Sequence, residues 1–253
     1  MTNEAKQVTN DPMIKIYSDF EAMSRAAADL IIEQVKNKPD SLLCFPSGES
    51  PAGAFRYLIA DAKAKKVDFS HCFFVGLDEW VGMGKDDDGS CTNFLFEHFF
   101  TPMQINPEHT HFFDAKAADL DAECKAMNQF IKQHGGLDIM MVGIGMNGHI
   151  GLNEPGTDFN LYAHHAPLAE VTITVGQKYF KKPTILTKGI TLGLKHLQEA
   201  KIPLLVASGA KKAGIIANTL QGEVSELVPA TIFQTLANAV VLLDEGAASG
   251  LRK

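Results

Sequence analysis

The sequence predicts an α/β protein, a single domain on a mostly parallel, doubly wound (Rossmann-like) sheet with helices on both faces. Three observations carry that expectation. Short apolar runs alternate with stretches of helical spacing, the mark of strand–helix–strand units. Several runs are apolar throughout and bounded by Gly, Pro or Asp, as strands buried on both faces are. The polar, glycine-rich stretches fall just after those runs, where the carboxyl ends of parallel strands gather them on one rim.

Taken in order, "MTNEAKQVTNDP" (1–12) is polar and reads as a flexible N-terminal arm. Residues 13–253 show no repeat, linker or composition break. "MIKIYS" is a first strand, and an Ala-rich helix follows from Asp19 to about Lys36. "SLLCF" (Ser41–Phe45), bounded by Pro39 and Pro46, is a second strand. After "PSGES" a helix is expected from Pro51, proline occupying its first turn, to about Lys65. "HCFFVGL" (His71–Leu77) and "GLDIMMVGI" (Gly136–Ile144) are further strands. "EVTITV" (170–175), "KIPLLVAS" (Lys201–Ser208) and "NAVVLLD" (Asn238–Asp244) are expected to be three more. The segments 116–134, 210–220 and 229–237 have helical spacing.

Composition narrows the partners. Hydrophobic residues make up 45% and charged residues 21%, the balance of a soluble protein with an ample core. No segment approaches the roughly 20 apolar residues of a membrane span, and the first dozen residues do not resemble a secretory leader. The net charge of −7, with no basic block, argues against nucleic acid. Cys44, Cys72, Cys91 and Cys124 form no CxxC pair, which argues against zinc or a disulfide frame and fits a reducing cytoplasm. Asp86–Asp88 read as a solvated loop and not a metal site. His164 and His165 are expected in a loop without a role. Amphipathic helix faces leave room for a homo-oligomer.

Four stretches are expected to converge on the rim. "DIMMVGIGMNGHIGLNEPG" (Asp138–Gly156) breaks from a strand into a glycine-rich loop carrying Gly145, Asn147, Gly148, His149 and Glu154. Glycines let backbone approach a ligand, His149 can exchange protons near neutrality, and Glu154 can orient its ring. "LDEW" places Asp78 and Glu79 directly after an apolar run, where partial desolvation makes a carboxylate a usable base. "PSGES", with Ser47, Gly48, Glu49 and Ser50, runs into a helix N-terminus, a natural seat for phosphate. "SGAKK" places Lys211 and Lys212 at another helix start, against the dipole, as a cation serving an anion would be. The stretch "FPSGESPAGAF" carries neither GxGxxG nor a Walker pattern, so it is neither a dinucleotide nor an NTP motif.

In order and approximate spacing these stretches resemble the glucosamine-6-phosphate deaminase/isomerase family over about residues 14–244, most specifically in "LDEW" and "NGHIGLNEPG". Trp80, Asn147, "GLNEPG" and "TKGITLGLK" (Thr187–Lys195) look closest to its galactosamine-6-phosphate isomerase branch. The resemblance implies a small sugar phosphate as partner and neither a metal nor an organic cofactor. Asp78 would move a proton between C2 and C1, while His149 with Glu154 would open the sugar ring. The phosphate would sit on the N–H groups of Ser47–Ser50 with Lys212 and Lys178 as cations. Lys178 falls near a usual arginine, whose bidentate grip a lysine cannot copy.

Asn147 stands where glucosamine deaminases usually have aspartate. It can still hydrogen-bond the imidazole or a sugar hydroxyl but contributes no negative charge. The segment "GTDFNLYAHHAPL" after "NEP" has no Lys or Arg, so effector-phosphate allostery is not expected. Two other readings fit the fold. In a 6-phosphogluconolactonase-type hydrolase His149 would activate water and Asp78 would have no proton to move. In a non-catalytic sugar-phosphate sensor neither would be needed, and no DNA-binding appendage accompanies the domain.

Overall fold

Seven strands pair throughout in parallel, in the order β1-β10-β9-β6-β2-β3-β5. They are β1 (Met13–Tyr17), β2 (Leu42–Phe45), β3 (Phe73–Gly76), β5 (Thr110–His111), β6 (Ile139–Val142), β9 (Ile202–Ala207) and β10 (Val240–Asp244). The computed structural model describes residues 12–252, so the arm expected over 1–12 lies, apart from Pro12, outside the described residues. β4 (Asp78–Trp80), β8 (Lys188–Thr191) and β7 (His164–Pro167) form a second, antiparallel sheet in the order β4-β8-β7.

The central strands are apolar throughout because both faces are covered. In β6, Met140 and Val142 enter one core while Ile139 and Met141 enter the other. β2 divides likewise, Leu42 and Cys44 against Leu43 and Phe45. Strict alternation of this kind assigns each successive side chain to an opposite helix layer.

One layer is led by α1 (Phe20–Asn37) and α2 (Glu49–Lys63). Asp19 caps α1 by accepting from the Ala22 N–H at 2.8 Å, and the stripe Met23, Ala27, Ile31, Val35 is buried. The two helices cross at Gly53, where an added Cβ would lie 2.1 Å from Ser24 Oγ. The short α3 (Cys91–Leu95) and α4 (Thr101–Met103) complete this side with the phenylalanine cluster around Phe99. The opposite layer holds α5 (Leu120–Gln133) and α7 (Leu194–Glu199), with α8 (Ala213–Gln221) and α9 (Glu245–Ala248) beside them.

Five expectations change. "EVTITV" is helical, α6 (Glu170–Gly176), not a strand. Its burial follows a four-residue period, Thr172 and Gly176 in, Val171 and Val175 out, so the packing overrides its β-branched composition. His164 and His165 lie in β7, not a loop, and "HCFFVGL" stops at Gly76 before "DEW" joins the second sheet. The α2 helix starts two residues before Pro51, and 229–237 forms 3-10 turns over Pro229–Thr235.

Candidate active site

One cavity opens at the carboxyl ends of β2, β6 and β9. Ser47, Gly48, Glu49, Ser50, Asp78, Gly145, Asn147, His149, Lys178 and Lys212 all line it. Glu154 stands behind His149, only 6% exposed, and reaches the cavity through the imidazole. Gly148 does not face the cavity. With φ +84° it packs against Val228, and its carbonyl accepts from the Ala230 N–H. Its part is the turn, not the ligand.

The pleat decides which of the paired acids faces the cavity. Successive side chains of β4 point to opposite sides. Asp78 therefore lies at the cavity wall, while Glu79, 1% exposed, accepts from the N–H groups of Trp80, Cys91 and Thr92 at 2.9–3.0 Å. Glu79 is thus structural and seats the start of α3. Burial, and then the Glu79 charge, push the Asp78 carboxyl up to about 7. Such a group is a carboxylic acid below neutrality and a base just above it.

The His149 loop is drawn tight by its own backbone, with Gly145 N–H donating to the His149 carbonyl at 2.9 Å. A Cβ on Gly145 would lie 2.3 Å from the imidazole, so only glycine lets the ring fold back over the loop. His149 Nδ1 lies 3.1 Å from Thr172 Oγ1 and 3.5 Å from Glu154 Oε2. Burial disfavours ionisation of Glu154. The hydrogen bond and charge of His149, with hydrogen bonds from Thr172 and Asn147, outweigh it and hold the carboxyl at about 2. Glu154 is therefore an anion near neutrality.

Asn147 does not bond the imidazole. Its Nδ2 donates to Glu154 Oε2 at 2.9 Å, and its Oδ1 accepts from the His149 backbone N–H at 3.2 Å. It braces the loop and the carboxylate that orients the ring. Of the two partners expected for it, the imidazole or a sugar hydroxyl, the imidazole is not bonded.

Across the cavity, Gly48 (φ +117°) turns the chain into α2 and leaves the first N–H groups of that helix without a side-chain cap. Lys212 Nζ donates to the Ile144 carbonyl at 2.6 Å, and Lys178 pairs with Glu49 at 3.4 Å. Burial, then the neighbouring Lys178 charge, push the Lys212 ammonium pKa down. The cradle thus combines free N–H groups with two cations, the physics of an anion site. Asp87 and Asp88 are paired with Lys116 and Lys181, and among the described residues no cluster of His, Cys, Asp or Glu is arranged for a metal.

Among the cavity residues that escaped the sequence reading are Thr172 and Cys91. Thr172 lay in the segment expected to be a strand, and no spacing linked it to His149, 23 residues away. Cys91 was weighed only for zinc and disulfides. It lines the cavity together with Asp78 and Ser47.

A carboxyl poised near neutrality, an imidazole seated on a carboxylate and an anion cradle define the class: an α/β protein fitted for proton transfer on a small anionic molecule. The chain belongs to the family of glucosamine-6-phosphate isomerases and 6-phosphogluconolactonases, whose model matches residues 18–242. It is 36% identical over 232 residues to a glucosamine-6-phosphate deaminase of Thermoanaerobacter pseudethanolicus, covering 91% of this chain and 92% of that protein. It is 38% identical to one from Shouchella clausii, with 91% and 94% covered. The solved structure of a monomeric glucosamine-6-phosphate deaminase superposes with a TM-score of 0.91 at 33% identity, over 94% of this chain and 99% of that one. A 6-phosphogluconolactonase from Trypanosoma brucei, at TM-score 0.73 and 17% identity, shares the fold.

Proposed function

We propose that this chain is an amino-sugar-phosphate isomerase and deaminase, converting a 2-amino-2-deoxyhexose 6-phosphate and water to the ketose 6-phosphate and ammonia. The observation that carries the reading is the Asp78 carboxyl, poised near 7 on the same cavity as the His149–Glu154 pair and the cradle.

In this reading the phosphate sits on the N–H groups at the start of α2, with Lys212 and Lys178 supplying charge. His149, oriented by Glu154 and Thr172, carries a proton between the ring oxygen and the C1 hydroxyl as the pyranose opens. Asp78 then takes the C2 proton. The C2–H electron pair becomes the C1=C2 bond of an enolamine as the C1=O π pair moves to O1, which takes a proton; the C1=C2 pair then takes the proton held by Asp78 onto C1 on the same face while the nitrogen lone pair forms the C2=N bond. Water adds to the resulting C2 iminium, and ammonia departs with the C–N pair. No electrons are gained or lost overall, and the chemistry calls for no cofactor. Positioning and proton transfer together supply the rate.

Between the epimers we favour galactosamine 6-phosphate, on the resemblance carried by Trp80 and Asn147; the deaminase relatives carry the glucosamine name. A cytoplasmic location goes with this reading. The test is ammonia release from both sugars by purified protein, beside Asp78→Asn. Release from the galacto sugar at about tenfold selectivity, or about 1.4 kcal/mol in transition-state binding, is the expected result. Preference for the gluco sugar overturns the epimer alone. Hydrolysis of 6-phosphogluconolactone without ammonia release, little affected by Asp78→Asn, overturns the reaction.

A further inference from the structure

The anion cradle contains a carboxylate of its own. Glu49 stands in the first turn of α2 and lines the cavity with Lys178 and Lys212. Its Oε1 lies 3.4 Å from Lys178 Nζ, which belongs to the 3-10 turn Gln177–Tyr179 following α6. That turn lies against the cradle: a Cβ on Gly48 would come within 3.9 Å of the Tyr179 hydroxyl. Lys178 Nζ also sits 4.9 Å from the centre of the Tyr179 ring. Burial, then the Lys178 charge, push the Lys212 pKa down, and the Glu49 charge opposes them, so the three charges share one field.

A carboxylate here works against the site around it. An acid in a first helical turn draws on the same partial charge that uncapped N–H groups offer a phosphate. By pairing with Lys178 it also cancels one of the two cradle cations. Its worth to the fold is small, because the Glu49 and Lys178 side chains are 81% and 45% exposed and exposed ion pairs are weak. What the pair does change is the charge that an incoming anion meets.

We infer that Glu49 is a binding-site residue that limits affinity: paired with Lys178, it holds the attraction of the cradle for phosphate below what the N–H groups and two cations would give without it. The inference rests on the proposed seat of the phosphate at the start of α2. A phosphate keeps its charge from substrate to product. Whatever Glu49 takes from binding it therefore takes equally from ground state, transition state and product. Its mark falls on KM and on retention of product, not on the chemical step.

Binding of inorganic phosphate tests this without turnover. Calorimetry at constant pH compares wild type, Glu49→Gln, Lys178→Met and the double variant, at low and at raised ionic strength. Glu49→Gln replaces an exposed side chain with one of equal size, so the fold is not at stake. It is expected to tighten phosphate binding about threefold at low ionic strength, a gain that shrinks as salt is added. The gain should largely vanish when Lys178 is already Met, since the carboxylate then has no cation to cancel. Equal affinity in wild type and Glu49→Gln overturns the inference, and so does a gain that survives Lys178→Met undiminished. A weaker hold in Glu49→Gln would make Glu49 a prop for Lys178 and overturns it equally.

Kinetics supply the second arm. In Glu49→Gln, KM for the amino-sugar phosphate and the inhibition constant of inorganic phosphate should both fall about threefold, with kcat no higher than in wild type. A changed kcat at unchanged KM contradicts the assigned part. Absence of ammonia release from any sugar phosphate, with the phosphate affinities shifted as expected, counts against the proposed reaction and leaves Glu49 its role. Failure of every variant to bind phosphate, with ammonia release intact, overturns the inference alone.

Discussion

Asp78 and Glu79 are chemically near-identical and adjacent, yet only one can serve as a base. Three N–H donors hold Glu79 in the frame, whereas Asp78 faces a desolvating cavity. Because the Asp78 pKa lies above its unfolded value of 3.8, the folded chain loses stability as pH rises from about 4 through about 7. Asp78→Asn is therefore expected to abolish ammonia release yet raise stability at pH 8 by roughly 2 kcal/mol, with no gain at pH 4. Urea denaturation at the two pH values measures this, and equal stability at pH 8 would sink it. In the wild type, kcat should rise through an acidic limb near 7. A second expectation concerns Gly145→Ala, whose methyl displaces the imidazole. It should lower kcat by about 100-fold with the circular dichroism unchanged; a smaller loss than tenfold contradicts the assigned fit. The placing of Asp78, His149 and Glu154 at one rim was legible because their residue types sit after apolar runs. Thr172 and Cys91 were not, because their places at the cavity depend on contacts between distant segments.

The strands and long helices of the central sheet follow from hydrophobic patterning, and β6 and β10 lie within the segments that patterning marks. α6 and the three-stranded sheet do not, since short elements draw their conformation from what they pack on. α6 rests on a small cluster in which Trp80, Cys91 and Leu152 meet Leu168, Leu186 and partly buried Ile173. The two cores flanking the sheet are far larger. Elements with little buried apolar contact open first, so α6 amides should exchange with deuterium faster than those of β6. Gly176 approaches the indole so closely that a Cβ there would lie 3.3 Å from Trp80. Gly176→Val should lift α6, withdraw Thr172 from His149 and lower kcat by about tenfold. Trp80 is the only tryptophan, so its emission should shift to the red as water reaches it. Unchanged emission together with unchanged kcat would refute the docking.

Over the whole molecule, reaction groups gather at the carboxyl ends of the strands and a stabilising ion cluster lies at the amino ends. Asp138, just before β6 and 1% exposed, accepts from Lys38 at 2.9 Å, Lys201 at 2.7 Å and the Leu42 N–H at 2.8 Å. The lysines and that N–H overcome the penalty of burial and hold the carboxyl below the usual range. Asp138→Ala strands two lysines and a strand N–H, and should destabilise the protein by roughly 3 kcal/mol. Activity per folded molecule should survive. Loss of kcat at full folding would show that the two ends are coupled. The doubly wound sheet and its active rim were legible because they arise from patterning repeated along the chain. The Asp138 cluster joins residues as many as 100 positions apart and left no local mark.

Lys212 gives turnover a further consequence. Its ammonium rests on the Ile144 carbonyl, within the loop that carries His149. On the proposed reading, an arriving anion draws the ammonium from that oxygen, and a departing one hands it back. Occupancy is then an exchange of partners and not the gain of one, which weakens the hold on any bare phosphate. Release leaves no stranded cation behind, so the finished ketose phosphate meets a site already equipped to let it go.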